Sequence, residues 1–178
     1  LLVVFYHLNI SGLDNGYLGV DIFFVLSGFL MAKLTDKVSP VEFYIRRLKR
    51  LFPAYLVTIF FTTLAVFFIT YPDAVNQRLD RLFFDLFALS NFSFWSESSY
   101  FDIVTFKPLL NLWSLAVELQ FYLIAPFLLP FLRKRKIIHF TIMFGSLAAS
   151  LVILTISPKT SFFMLPTRIW EFLFGAFA

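Results

Sequence analysis

Leu109-Leu110-Asn111-Leu112-Trp113-Ser114-Leu115-Ala116-Val117-Glu118-Leu119-Gln120-Phe121-Tyr122, continued without a charge to Leu132, is the stretch that decides the fold. It exceeds the roughly 20 apolar residues needed to cross a bilayer as a helix. Its polar residues are not scattered. Asn111, Ser114, Glu118 and Tyr122 are spaced three, four and four, so on a helix they share one face, and the other faces are mostly Leu, Phe, Val and Ala. A carboxylate at the bilayer centre costs at least about 2.5–3.5 kcal/mol. Such a stripe should therefore face a polar cavity or a polar partner on another helix. It reads either as a network joining helices or as a binding surface.

Working outward, further apolar runs of spanning length lie at about 17–35, 51–71 and 137–157, with partial runs at 1–10 and 167–178. A shorter run, about 81–95, carries Asp85, Ser90 and Asn91. Composition agrees. The chain of 178 residues is 60% hydrophobic and 15% charged, with a mean hydropathy of +0.83. Soluble domains have about 45–50% apolar residues and about 25% charge. The 27 phenylalanines suit lipid-facing helix surfaces. The expected fold is all-α, a polytopic membrane helix bundle of about six to seven spanning or partly spanning helices. It forms a single domain over 1–178. Both ends open inside apolar runs, which reads as truncation.

Breakers separate the runs: Gly12, Gly16, Pro40, Pro72, Pro108, Pro158 and Pro166. Pro53 is expected near a helix start, and Pro126 within 109–132 predicts a kink. Lys33, Lys37, Arg46, Arg47, Lys49 and Arg50 form one basic cluster, and Arg133 to Lys136 form another. The positive-inside rule places both on the cytoplasmic side, so an even number of crossings must separate them. Either the segment 81–95 is re-entrant or interfacial rather than spanning, or one basic cluster departs from the rule; the short length of 81–95 and its Asp85 favour the first. The net charge of +4 serves topology, and no nucleic-acid partner is implied. With no cysteine and two distant histidines, no metal site is expected.

His7 reads as an interfacial histidine or as a general base, since its ordinary titration range lies near neutrality. Asp21 reads as a helix-opening residue, or as a partner for His7 or a cationic group. Ser27-Gly28 offers a small surface for close approach of another helix or a ligand. Arg46, Arg47 and Arg50 can share a helix face, either contacting lipid headgroups or matching phosphates bidentately. Arg168 and Glu171, three apart, read mainly as a structural pair. Asp85 is ambiguous between those readings, and His139 is expected at the interface.

Several blocks together resemble the acyltransferase-3 family. They are Val3-Val4-Phe5-Tyr6-His7-Leu8; Gly19 to Phe29; Phe43-Tyr44 with Arg46-Arg47, Arg50 and Pro53; Leu112-Trp113-Ser114 through Glu118 to Phe121-Tyr122; and Pro166 to Glu171. They occur in family order over nearly the whole chain. The resemblance implies a multi-pass cell-membrane enzyme of bacterial type. It would move an acyl group, most often acetyl, from acyl-CoA as co-substrate to a hydroxyl of a cell-surface saccharide or related acceptor. No bound cofactor is implied. His7 matches the catalytic histidine, and Asp21, Arg46, Arg47, Arg50 and Glu118 match the other motif positions. His7, Asp21 and Glu118 are thus the candidate catalytic residues, the three arginines the candidate donor-binding residues, and Asn111, Ser114 and Tyr122 candidate substrate contacts. Leu119 stands where the family often has a second acid, and the family arginine about three turns before the histidine is not in the chain. Family members have about ten spanning helices. The competing expectation is a membrane transporter or exporter with an intramembrane polar cavity, which needs the buried charges but not the arginine cluster.

Overall fold

The computed structural model describes residues 18–96 and 108–178, with nothing stated of the side chains of residues 73 and 74. Among these residues the chain is helical throughout, with no strand: α1 (Leu18–Thr35), α2 (Pro40–Ile69), α3 (Pro72–Leu86), α4 (Ser90–Ser96), α5 (Leu112–Lys134), α6 (Lys136–Ile156), α7 (Pro158–Phe163) and α8 (Leu165–Phe177). Four of them, α1, α2, α5 and α6, are long and apolar enough to cross a membrane. The protein is an all-α, multi-pass membrane helix bundle.

Proline marks beginnings more than endings. Pro40, Pro72 and Pro158 each open a helix, where the missing N–H is needed least. The α2 helix starts eleven residues before the expected run at 51, because Ser39 accepts a bond from the Glu42 N–H and arginine and lysine are good helix formers. Pro53 therefore sits inside α2 rather than near its start. The α5 helix likewise runs on through Pro126 and Pro130.

The 81–95 run forms no helix long and apolar enough to cross a membrane. It divides between α3 and α4, and the chain turns at Ala88, whose φ of 56° lies in the left-handed region. Among the described residues, two helices long and apolar enough to cross, α2 and α5, lie between the basic clusters. An ion pair between Asp36 and Arg133 brings those clusters to the same end of the bundle.

The centre of the bundle is α5, which touches α1, α2, α4, α6, α7 and α8. The α8 helix packs mainly on α1 and then on α6, and α3 leans on α2. Aromatic rings fill the middle: Phe121 stacks on Phe172 at 4.3 Å, Phe24 lies 4.8 Å from Phe172, and Trp113 meets Phe162 at 4.3 Å. Gly28 and Gly175 let α1 and α8 approach to backbone contact. A Cβ on Gly28 would overlap the Phe172 carbonyl, and one on Gly175 the Val25 carbonyl. The small surface expected at Ser27-Gly28 is thus occupied by α8. Outward faces carry Phe60, Phe61, Phe67, Phe68, Phe127 and Phe144, all exposed. In water this would far exceed the apolar patch a soluble monomer tolerates; in lipid it is solvated.

Candidate functional site

Among the described residues three clusters of ionisable groups are built into the bundle. The first centres on Glu118, only 3% exposed although it sits mid-helix on α5. One of its oxygens, Oε1, accepts from Ser27 Oγ of α1, and from the Tyr122 hydroxyl one turn on at 2.7 Å. The other, Oε2, is buried without a protein partner. Arg47 of α2 lies beside it, 8% exposed, with its guanidinium 5.3 Å from the Tyr122 ring centre and 5.8 Å from that of Phe43. Its Nε is also buried and unpartnered. Arg47 and Arg50 both act electrostatically on Glu118. Among the described residues, however, no ion pair joins Arg47 to Glu118. A carboxylate oxygen and a guanidinium N–H thus both lie buried without a protein partner, as do atoms of Arg78 and Glu171.

Only part of the α5 stripe contributes. Tyr122 and Glu118 enter the cluster. Ser114 instead bonds back to the Asn111 carbonyl at 3.1 Å, and Asn111 is exposed in the turn before α5. The arginines divide as well. Arg46 points outward and pairs with Glu42 one turn earlier at 2.5 Å, Arg50 is exposed, and Arg47 alone is buried. A rotation of about 100° per residue separates Arg46 from Arg47, so the expected single face is split. Tyr44 anchors this part of α2 by donating to the Leu123 carbonyl at 2.7 Å.

In the second cluster Arg168 joins two carboxylates. Its Nη1 donates to Asp21 Oδ1 at 2.9 Å and to Glu171 Oε1 at 2.6 Å, and its Nε donates to the Phe162 carbonyl at 3.2 Å. Glu171 is fully buried, and its Oε2 has no partner. Asp21 thus has a cationic partner from α8. His7, its other expected partner, lies outside the described residues. On α1, Asp21 and Ser27 are six residues apart, about 9 Å along the axis at 1.5 Å per residue. These two clusters therefore lie at different depths of one helix.

Some polar residues were not anticipated as partners. Arg78 and Asp85, the third cluster, form a buried ion pair at 2.5 Å, and Asp85 also accepts from Ser90 at 2.6 Å. Their i, i+7 spacing on one helix face was the available signal. Tyr55 donates to the Asp85 carbonyl, tying α2 to this network. Gln120 joins α5 to α4 through Asn91 at 2.7 Å and the Ala88 carbonyl at 3.2 Å. His139, expected at the interface, is covered by protein. It is buried, with Nε2 at 3.1 Å from the Leu173 carbonyl, because α8 closes over that end of α6. Among the described residues no group of His, Asp or Glu is placed to hold a metal ion.

Comparison with known proteins bears on what such clusters do. The acyltransferase-3 family model, described as an acyltransferase domain, matches residues 1–178. The chain is 37% identical over 191 residues to the O-acetyltransferase OatA of Staphylococcus aureus strain NCTC 8325, covering 97% of this chain and 31% of that protein. It is 37% identical over 194 residues to the peptidoglycan O-acetyltransferase OatA of Listeria monocytogenes, covering 98% of this chain and again 31% of the relative. The chain thus spans about a third of the length of the curated relatives it matches. No solved structure matches it.

Proposed function

Because the chain belongs to the acyltransferase-3 family, we propose that it is the site-bearing part of a membrane O-acetyltransferase that carries acetyl groups from acetyl-CoA to hydroxyls of a cell-wall saccharide, with peptidoglycan the preferred acceptor. Relatives named as O-acetyltransferases, one of them for peptidoglycan, support the reaction class and the acceptor. The observation that carries the reading is the Glu118 cluster, a carboxylate fixed by Ser27 and Tyr122 with one oxygen unpartnered and an arginine beside it.

In this reading His7 removes the proton of the acceptor hydroxyl as its oxygen attacks the thioester carbonyl carbon. The new C–O bond forms, the C–S bond breaks, and the proton passes to the departing thiolate. Asp21, held by Arg168, orients His7. Glu118 Oε2 accepts from a substrate hydroxyl. The Arg47 Nε–H donates toward the thioester oxygen, where negative charge develops. Arg46 and Arg50, exposed on α2, meet the donor's phosphates at the basic end, which the positive-inside rule assigns to the cytoplasm.

The test is His7→Ala in the full-length protein, assayed for transfer of radiolabelled acetyl groups and for membrane insertion. The expected result is loss of transfer with insertion intact. Turnover at the wild-type rate removes the mechanism.

A further inference from the structure

Several hydroxyls in this bundle spend their proton on their own helix. Thr58, Thr70 and Thr141 each donate to the carbonyl four residues back, at 2.8, 2.6 and 3.0 Å. Ser27 does not. It is buried in the middle of α1, and its Oγ donates across the helix interface to Glu118 Oε1. Ser90 also meets a carboxylate, that of Asp85, but there Arg78 already holds the second oxygen. Glu118 has no such cation in contact. Its Oε1 takes the hydroxyls of Ser27 and Tyr122, and its Oε2 takes nothing from the protein. A hydroxyl on a carboxylate that a third group orients is the arrangement that activates an oxygen nucleophile. Tyr122 is that third group. The Nε–H of Arg47, buried without a partner beside the carboxylate, supplies a donor for a developing oxyanion. Ser27 lies about 12 Å along α1 from its end at Thr35, the basic end, and Asp21 lies about 9 Å further on.

We propose that Ser27 is a catalytic nucleophile that carries the acetyl group as an oxygen ester between donor and acceptor. This rests on the acetyltransferase reading and divides its single attack into two. In the first step Ser27 Oγ attacks the thioester carbonyl carbon, and its proton passes to Glu118 Oε1. The Oγ–C bond forms, the C–S bond breaks, and coenzyme A leaves as the thiolate, which takes a proton from water. In the second step the acceptor oxygen attacks the carbonyl carbon of the Ser27 ester, and His7 takes the acceptor's proton. The ester Oγ–C bond breaks, Ser27 recovers its proton from Glu118, and His7 releases its own to water. In this scheme the Arg47 N–H serves the carbonyl oxygen in both steps, so one donor stabilises two tetrahedral intermediates. A covalent stop midway along α1 separates the half-reactions, so donor and acceptor need not occupy the site together.

The test uses the full-length wild-type protein in detergent with acetyl-CoA and no saccharide. Radiolabelled coenzyme A is expected to exchange into the acetyl-CoA pool, which a single direct attack by the acceptor does not allow. After a denaturing quench, peptide mass spectrometry is expected to find an acetyl group on the peptide that holds Ser27. Two variants fix the residue. Ser27→Ala should lose both label and exchange, and should lower kcat for acetylation of soluble peptidoglycan fragments by at least about 10³-fold. Ser27→Cys keeps a nucleophile of similar size and should still take up the label, now as a thioester that neutral hydroxylamine cleaves. Transfer to the fragments by the wild type, without exchange and without label on the protein, overturns the proposal and leaves the acetyltransferase reading standing. Label at His7 or Tyr122 in place of Ser27 overturns it as well. If the wild type neither transfers nor exchanges, the acetyltransferase reading itself fails and the Ser27 step falls with it.

Discussion

Ser27 and Glu118, 91 residues apart in sequence, are joined by a buried hydrogen bond between α1 and α5. The bond fixes which carboxylate oxygen is occupied and leaves the other beside Arg47. Ser27→Ala should then do more than delete a contact, since Glu118 would keep only Tyr122 at Oε1. A cost of about 1–3 kcal/mol is expected for a bond to a buried charged group. Ser27→Ala and Glu118→Gln should couple non-additively, by about 0.5–3 kcal/mol, in a double-mutant cycle on thermal unfolding in detergent. Additive effects would mean that the two side chains do not share an interaction.

Arg168 serves two acids, so its loss should be felt more than the loss of either. Arg168→Gln leaves Asp21 and Glu171 without their cation, and breaking a buried pair from one side typically costs about 3–5 kcal/mol. Asp21 is partly exposed, which lowers its share of that cost. Folded protein recovered from membranes should drop sharply for Arg168→Gln. Adding Glu171→Gln should restore much of it by removing the fully buried uncompensated charge. Failure of the second substitution to rescue would assign Arg168 a role beyond charge balance.

The Gly28 and Gly175 crossing gives a clean contrast with Gly145. A methyl group at either of the first two collides with backbone of the facing helix, which cannot rotate away, whereas nothing lies within 4 Å of the Cβ position at Gly145. Gly28→Ala and Gly175→Ala should each cost about 1–3 kcal/mol or more by forcing α1 and α8 apart. Gly145→Ala on α6 should be stabilising by about 0.5–1 kcal/mol through helix propensity. Unfolding midpoints of the three variants check this directly.

How far these features were legible in the sequence depends on the range of the interaction. The membrane-length runs and the Arg168–Glu171 pair follow from spacing along one chain, and the structure has them. The Glu118–Tyr122 half of the stripe is local too. What spacing cannot tell is which neighbour a face meets. Asn111 and Ser114 belong to the same stripe yet stay outside the cluster, because at their level α2 meets α5 through the apolar contacts of Tyr55, Ile59 and Leu112, and the polar partners Ser27 and Arg47 lie further along. The split of Arg46 from Arg47 depends on which side of α2 turns toward Tyr122 of α5, and spacing within α2 does not tell that. Arg168 reaching Asp21 is a contact across 147 residues, and neither residue's own segment announces it.

The division among the arginines yields the last prediction. Arg46 is exposed and paired with Glu42 within one turn of a helix, an arrangement worth about 0–1 kcal/mol. Arg47 is buried, lies against two rings and is fixed near Glu118. If both served only as lipid-headgroup anchors, replacing either by lysine would matter little, since the charge is kept. In the proposed site the two substitutions separate. Lysine at 47 cannot present a planar Nε–H or lie flat on Phe43 and Tyr122, so the geometry is lost although the charge remains. Arg46→Lys should leave acetyl transfer within about twofold of wild type, because a surface point charge still meets phosphate. Arg47→Lys should lower kcat by about 10²-fold or more, the scale on which a donor to a developing oxyanion acts, with little change in the KM for the donor. A rise in KM at constant kcat for Arg47→Lys would instead place Arg47 with the donor's phosphates and leave Glu118 without a catalytic neighbour.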